Sequence, residues 1–145
     1  MIVRRIDGWP EEEALYVQLY AGLPVPMPEL TPSAWREPCG IVAGFEDEAL
    51  VGFVVFFAAE DKAGTAVVQW LLTDRERERL VTGVNTTHPG TSAEVEALAV
   101  LVGAAAEDAR AAGYREIQWP DAEVDLAARL AERMQAWSLG YGFAL

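Results

Sequence analysis

The chain has 145 residues, of which 52% are hydrophobic, and these values are typical of one folded domain and exclude an intrinsically disordered chain. It carries 11 Lys and Arg residues against 23 Asp and Glu residues, for a formal net charge of −12 at pH 7. Because such a charge repels phosphate backbones and anionic lipid headgroups, we expect neither nucleic acid nor a membrane as a partner, and cationic partners are favoured. We predict a single domain over residues 1–145.

The composition also restricts metal and disulfide chemistry. Cys39 is the single cysteine and cannot form a disulfide within the chain, and the single histidine, His88, cannot build a multi-histidine site, so we predict no metal site. Residues 1–13 lack the long apolar segment of a secretory signal. The longest apolar stretch, residues 50–59, is far shorter than the roughly 20 residues that span a bilayer. We therefore expect a cytoplasmic protein.

The first quarter of the chain predicts a strand, a helix and a long loop. Residues 1–6 alternate weakly and end at the turn dipeptide Asp7-Gly8, as a strand does. Pro10 followed by three glutamates predicts a helix start, because proline fits the first turn and carboxylates favour the positive end of the helix dipole. Residues 23–38 contain five prolines, which predicts a mostly extended segment.

The middle of the chain predicts β structure. Residues 41–46 and 50–59 flank a tight acidic turn, which indicates a hairpin. Residues 65–72 and 80–87 predict two further strands. The run TDRERER at residues 73–79 alternates in charge between them, and we predict that it forms a solvated hairpin tip.

The last third of the chain predicts a helix, a strand and a second helix. Thr91 and Glu94 have the spacing of a capping box, and apolar residues at helical spacing follow until Gly113. Residues 114–119 alternate as a strand. Apolar residues then recur at helical spacing from residue 124 to Trp137, which is expected in the core. The whole pattern predicts an α+β fold with a mixed, mostly antiparallel central sheet flanked by helices.

This order of elements, together with the run AAAEDARAAGYREIQWP at residues 104–120, resembles the GNAT family of acyl-CoA-dependent N-acetyltransferases. The run DEALVGFVVF is similar to the family's turn between its second and third strands, and SLGYGF is similar to the motif that follows its last helix. TTHPGTSAE is similar to its strand-to-helix junction. The resemblance covers nearly the whole chain and extends to one half of the tandem two-domain members. It implies a GNAT-like fold and transfer of an acetyl group from acetyl-CoA to an amine.

The family's pyrophosphate loop has the pattern R-x-x-G-x-G, and this chain departs from it. Residues 93–98 contain neither the arginine nor the glycines. Glu94 and Glu96 place carboxylates in the first helical turn, where they would satisfy the helix dipole and repel a pyrophosphate. A shifted alignment supplies three other candidates for binding acetyl-CoA, namely Gly90, Thr91 and Ser92. A plain capped helix is the alternative.

The catalytic residues implied by the resemblance are a base for the amine and an acid for the leaving thiolate. His88 titrates in the right range and is the candidate base. Other carboxylates considered for this role are Glu60, Asp61 and Glu78. The family's tyrosine positions hold Ala136 and Ser138 here, so Tyr141 is the candidate acid. Cys39 has no evident base partner in the sequence, which disfavours a nucleophilic role.

Two functions remain open at this point. One is an N-acetyltransferase acting on a cationic or amine small molecule or on a protein amine. The other is a non-catalytic GNAT-like binding or assembly module with an impaired CoA site. The family's sheet ends with a strand pair, whereas here Phe143 is followed by two residues. We therefore expect an uncovered sheet edge near Ile117 and Trp119 and a homodimer that covers it.

Overall fold

The fold was analysed in a computed structural model that describes residues 1–7, 10–28, 40–83, 89–120, 123–137 and 140–145. Within these ranges, strands and helices follow one another in the order β1 (Ile2–Ile6), α1 (Glu11–Tyr20), β2 (Gly40–Glu46), β3 (Ala49–Ala58), β4 (Thr65–Leu72), α2 (Thr73–Thr82), α3 (Ser92–Ala111), β5 (Glu116–Gln118), α4 (Val124–Arg133) and β6 (Gly142–Ala144).

The strands form one sheet in the order β1-β2-β3-β4-β5-β6. Neighbouring strands from β1 to β4 are antiparallel, β4 and β5 are parallel, and β5 and β6 are antiparallel again. A parallel pair needs a crossover connection, and α3 lies in the segment that connects β4 to β5. The predicted α+β fold with a mixed, mostly antiparallel sheet is confirmed.

The two faces of the sheet are covered by different helices. Side chains alternate between the faces along each strand. Val54 and Phe56 of β3 belong to the core that contains the apolar residues of α3 and α4. Phe53 and Val55 of the same strand pack with the apolar residues of α1. The result is a three-layer arrangement with α3 and α4 on one face and α1 on the other.

The hairpin of β2 and β3 is confirmed, and its turn explains the acidic tripeptide. Asp47 and Glu48 both adopt positive φ angles, of 48° and 68°. Two successive residues with positive φ form the turn that matches the twist of two-residue hairpins. Strand β1, helix α1, strand β4 and the start of helix α3 also lie where the sequence predicts them.

The predicted hairpin tip at residues 73–79 is wrong, because this run forms the first part of helix α2. The predicted strand at 80–87 is also wrong where the structure describes it, since residues 80–82 complete α2. The alternating charges serve a helix: Glu76 pairs with Arg79 one turn later, and Nη1 of Arg77 donates to the carbonyls of Leu19 and Ala21 at 2.8 Å each. These last bonds hold α2 against the carboxyl end of α1.

The C-terminal segment corrects two further expectations. Helix α4 ends at Arg133 rather than near Gly140, and Trp137, predicted to lie in the core, is 43% exposed. Strand β6 pairs with β5, with Phe143 opposite Ile117, and this contact buries Ile117 and Trp119. The expectation of an uncovered sheet edge near Ile117 and Trp119 is wrong, because β6 of the same chain pairs with β5. The uncovered edge therefore no longer supports a homodimer, which stays a prediction.

The acidic turn gives a stability prediction. A non-glycine residue in the left-handed region costs about 1 kcal/mol, so Glu48→Gly is expected to stabilise the fold by about 0.5–1 kcal/mol. Thermal unfolding followed by circular dichroism should show a melting temperature about 2–3 °C above the wild type. The matched control is Glu60→Gly in the exposed β3–β4 loop, which should give no increase. A melting temperature of Glu48→Gly at or below that of the wild type would contradict the proposed strain.

Candidate functional site: the amino-terminal end of helix α3

Strands β4 and β5 pair along only part of β4. The parallel register joins Thr65, Ala66 and Val67 to the three residues of β5. Residues 68–72 of β4 continue beyond this ladder, while β5 ends at Gln118. Among the described strands, none pairs with this side of residues 68–72, and we call this position the β4–β5 gap. Since α3 begins shortly after α2 at this end of the sheet, its amino-terminal end belongs to the same region.

The amino-terminal end of α3 is closed by side chains of the protein. The capping box predicted from Thr91 and Glu94 is confirmed: the backbone N–H of Glu94 donates to Oγ1 of Thr91 at 3.1 Å, and that of Thr91 donates to Oε1 of Glu94 at 2.8 Å. The backbone N–H of Gly90 donates to Oδ2 of Asp125 at 2.6 Å. The N–H groups of Gly90 and Thr91 are therefore both engaged by carboxylates.

A buried arginine joins this helix end to three other segments. Arg75 of α2 is 7% exposed, and its Nε lies 2.8 Å from Oε2 of Glu94. Its Nη1 lies 3.2 Å from Oε2 of Glu123, just before α4. The indole N–H of Trp70, on the part of β4 that extends beyond β5, donates to the other oxygen of Glu123 at 3.3 Å. We call Trp70, Arg75, Glu94 and Glu123 the Arg75 network.

The comparisons with known proteins are informative at the level of the fold. No protein-family model and no curated protein matches the chain. Among solved structures, an N-acetyltransferase from Staphylococcus aureus Mu50 is similar over 99% of this chain and 96% of its own, with 11% identity and a TM-score of 0.52. A ribosomal-protein-alanine N-acetyltransferase from Brucella melitensis has the same coverage and identity, with a TM-score of 0.47. The fold is GNAT-like.

In a GNAT-like fold, the resemblance implies that the β4–β5 gap and the amino-terminal end of α3 hold pantetheine and pyrophosphate. Here Glu94 is a fixed negative charge at that helix end. Burial raises the pKa of Glu94, but hydrogen bonds from the Thr91 backbone and from Arg75 outweigh it, and the pKa lies below its ordinary value. The carboxylate is therefore ionised at neutral pH and takes the position at which the helix dipole favours an anion.

Glu96 does not take part in this arrangement, which corrects the expectation that two carboxylates oppose a phosphate. It is exposed, and its Oε1 lies 2.6 Å from Nε of Arg133 on α4. The hydrogen bond from Arg133 lowers the pKa of Glu96. A helix turns by about 100° per residue, so Glu94 and Glu96 project in different directions.

The candidate catalytic residues are not brought together by the described part of the chain. His88 and Cys39 lie outside the described residues. Tyr141 is half-buried before β6, and its carbonyl accepts the backbone N–H of Trp119 at 3.0 Å. Glu60 and Asp61 are exposed in the β3–β4 loop. The catalytic roles of His88 and Tyr141 and the cofactor contact of Ser92, exposed at the start of α3, stay predictions.

Arg75 and Glu123 are the residues that the sequence did not reveal. Arg75 stands in a run of charges, and such runs are usually solvated. Its one local signal is the helical spacing of the run, in which Glu76 and Arg79 are three positions apart. Glu123 gives no local signal, because its contacts with Arg75 and Trp70 span 48 and 53 positions.

A groove lies beside the Arg75 network, on the side of the β2–β3 turn. It has a volume of about 500 Å³ and is bounded by that turn, by α2 and by the first two turns of α3. Its apolar lining comes from Ala49, Leu50, Val51, Leu72, Ala93 and Ala97.

Among the described residues, no helix is long and apolar enough to cross a membrane, and no three His, Cys, Asp or Glu side chains are grouped to hold a metal ion.

The Arg75 network gives a pH-dependent prediction. Glu94→Gln removes a charged partner of buried Arg75, so the free energy of unfolding at pH 7 should fall by about 1–3 kcal/mol. Because the folded-state pKa of Glu94 is depressed, its stabilisation is present above the unfolded-state pKa of about 4.3 and is lost as pH falls through the folded-state value. The difference between wild type and variant should therefore shrink in acid.

Urea unfolding at several pH values between 7 and 3 measures this difference. Glu132→Gln, at an exposed position of α4, removes the same charge and serves as the control, with a change expected within about 0.5 kcal/mol. A difference for Glu94→Gln that stays constant down to pH 3 would exclude a stabilising role of the ionised carboxylate.

Proposed function

We propose that this chain is a GNAT-fold binding or assembly module whose acyl-CoA phosphate site is occupied by its own side chains. The observation that supports the proposal most directly is the bonding of Glu94 to both Arg75 and the Thr91 backbone at the amino-terminal end of α3. A pyrophosphate at a helix end is held by backbone N–H groups that point at it. Two of the three candidate residues donate these groups to carboxylates instead.

The packing around Gly90 is a second argument against a phosphate at this position. Gly90 is buried, and a Cβ atom added to it would overlap the side chain of Leu126 on α4. Its carbonyl accepts a hydrogen bond from Arg129. The loop before α3 is therefore fixed against α4, so acetyl-CoA does not fit the described residues in the manner that the GNAT resemblance implies.

The energetic cost of displacing these contacts is substantial. A phosphate that replaced the Glu94 carboxylate would break its ion pair with Arg75 and the hydrogen bond that it accepts from the Thr91 backbone. Hydrogen bonds to charged groups contribute about 1.5–3 kcal/mol each, and each 1.4 kcal/mol corresponds to a tenfold change in affinity. The loss of two such bonds would weaken cofactor binding by at least about a hundredfold.

The second candidate function is an N-acetyltransferase that transfers the acetyl group of acetyl-CoA to an amine. It is supported by the fold likeness to the S. aureus N-acetyltransferase and by the β4–β5 gap. In this candidate the amine nitrogen attacks the thioester carbonyl, His88 accepts the amine proton, and Tyr141 protonates the leaving thiolate. The acceptor would be a cationic or amine small molecule or a protein amine.

A titration with acetyl-CoA separates the two functions. We expect no heat of binding and no change in melting temperature for the wild type at 1 mM acetyl-CoA. A cofactor present at about 100 times its dissociation constant stabilises a protein by about 2.7 kcal/mol. Micromolar binding by the wild type, measured by calorimetry, would reject the proposed module and favour the N-acetyltransferase.

Variants test whether the Arg75 network is the cause. The double variant Glu94→Gly, Glu123→Gln removes the two carboxylates that pair with Arg75 and releases the backbone N–H of Thr91, so it should bind acetyl-CoA at least tenfold more tightly than the wild type. Glu96→Gly with Glu132→Gln is the matched control, because it also removes two carboxylates, both exposed, and Glu96 pairs with Arg133 instead of Arg75. Equal gains in the two variants would show that the effect is one of net charge alone.

A further inference from the structure

The groove beside the Arg75 network has the size and lining of a binding site. Its volume of about 500 Å³ lies within the roughly 300–1,000 Å³ of ligand pockets. Leu50 and Leu72 of the sheet form the apolar floor and are 7% and 6% exposed. Ala93 and Ala97, one helical turn apart on α3, form one wall. Because alanine side chains are short, this wall leaves room for an apolar side chain.

The opposite wall and the rim carry negative charge. Asp74 and Glu78 are exposed on consecutive turns of α2 and line the groove together. Of the three other charged residues that line the groove, Arg75 and Glu94 are paired with each other at 2.8 Å, and Glu46 at the end of β2 adds a further exposed carboxylate. The guanidinium of Arg75 is thus not available to attract an anion, and the net field at the opening is that of carboxylates.

We propose that this groove binds a basic segment of a partner protein, with an apolar side chain on the floor and an adjacent Lys or Arg on Asp74 and Glu78. The proposal rests on the proposed function, since it names the partner of the binding module. We choose a basic partner because of charge complementarity, since carboxylates on the rim favour cations and repel acidic peptides and nucleic acid. The groove is open to the surface along exposed Thr91 and Ala93, so a segment of a partner chain can lie across it.

The probes are fluorescein-labelled decapeptides that combine Leu or Ile with one, two or three Lys or Arg residues. Fluorescence polarisation should detect binding of the basic apolar peptides. Peptides with Glu in place of the basic residues, or Gly in place of Leu and Ile, should bind at least tenfold more weakly. Raising the salt concentration from 50 to 500 mM should weaken binding, because exposed charges are screened.

Two matched pairs of variants locate the site. Asp74→Asn with Glu78→Gln should weaken peptide binding at least tenfold, whereas Asp61→Asn with Glu132→Gln removes two exposed carboxylates elsewhere and should change it less than twofold. Ala97→Phe fills the groove and should abolish binding. Ala128→Phe, on an exposed position of α4, should leave it unchanged. In amide NMR spectra of the wild type, the peptide should shift Leu50, Val51 and Leu72.

Several outcomes would overturn the proposal. They are the absence of peptide binding below 1 mM, equal loss in both charge-variant pairs, and peptide-induced shifts confined to other surfaces. If n-hexylamine bound as tightly as the peptides, the ligand of the groove would be a free amine and not a protein segment. Acetyl-CoA titrated into the same samples tests the proposed function separately, because its chemical-shift changes would centre on residues 90–92. Failure of peptide binding is thus distinguishable from failure of the proposed function.

Discussion

One buried positive charge sets the arrangement of this end of the molecule. Arg75 is 7% exposed, and an unpaired charge at such a position costs several kcal/mol. Glu94 and Glu123 provide partners from positions 19 and 48 residues away. Replacing a buried ion pair with apolar residues is often neutral for stability, so the main effect of these bonds is geometric. They fix α2, the start of α3 and the residue before α4 relative to one another beside the β4–β5 gap.

The start of helix α3 also has hydrogen-bond acceptors of the kind that a bound phosphate would supply. The first N–H groups of a helix have no partners within it, and a ligand phosphate is one way to supply them. Here the capping box of Thr91 and Glu94 and the carboxylate of Asp125 supply acceptors from within the chain. The N–H groups of Thr91 and Glu94 therefore have acceptors without a ligand. The elements around this helix end have the GNAT-like arrangement. The negative group that interacts with the positive end of the α3 dipole is the Glu94 side chain of the protein itself.

The sequence predicted those features that depend on neighbouring residues. The hairpin, the strand β4 and the capping box of Thr91 and Glu94 follow from turn chemistry, alternation and a three-residue spacing. For residues 73–79 the hairpin prediction is wrong, because alternating charges are equally compatible with a hairpin and with a helix whose charge pairs lie three or four residues apart. The burial of Arg75 depends on Glu123, and no pattern within α2 contains that information.

Carboxylates at the start of α3 and on α2 set the sign of the electrostatic field at this end of the sheet. An open helix end attracts anions. Here the negative charge of Glu94 offsets the positive end of the α3 dipole and also balances the charge of Arg75. The neighbouring charges of α2, at Asp74 and Glu78, then determine what approaches the groove. With a net charge of −12 on the whole chain, the local and long-range fields have the same sign. An acidic GNAT-like protein with an open phosphate site would have these two fields in opposition, since its overall charge would repel the polyanionic cofactor that its helix end attracts.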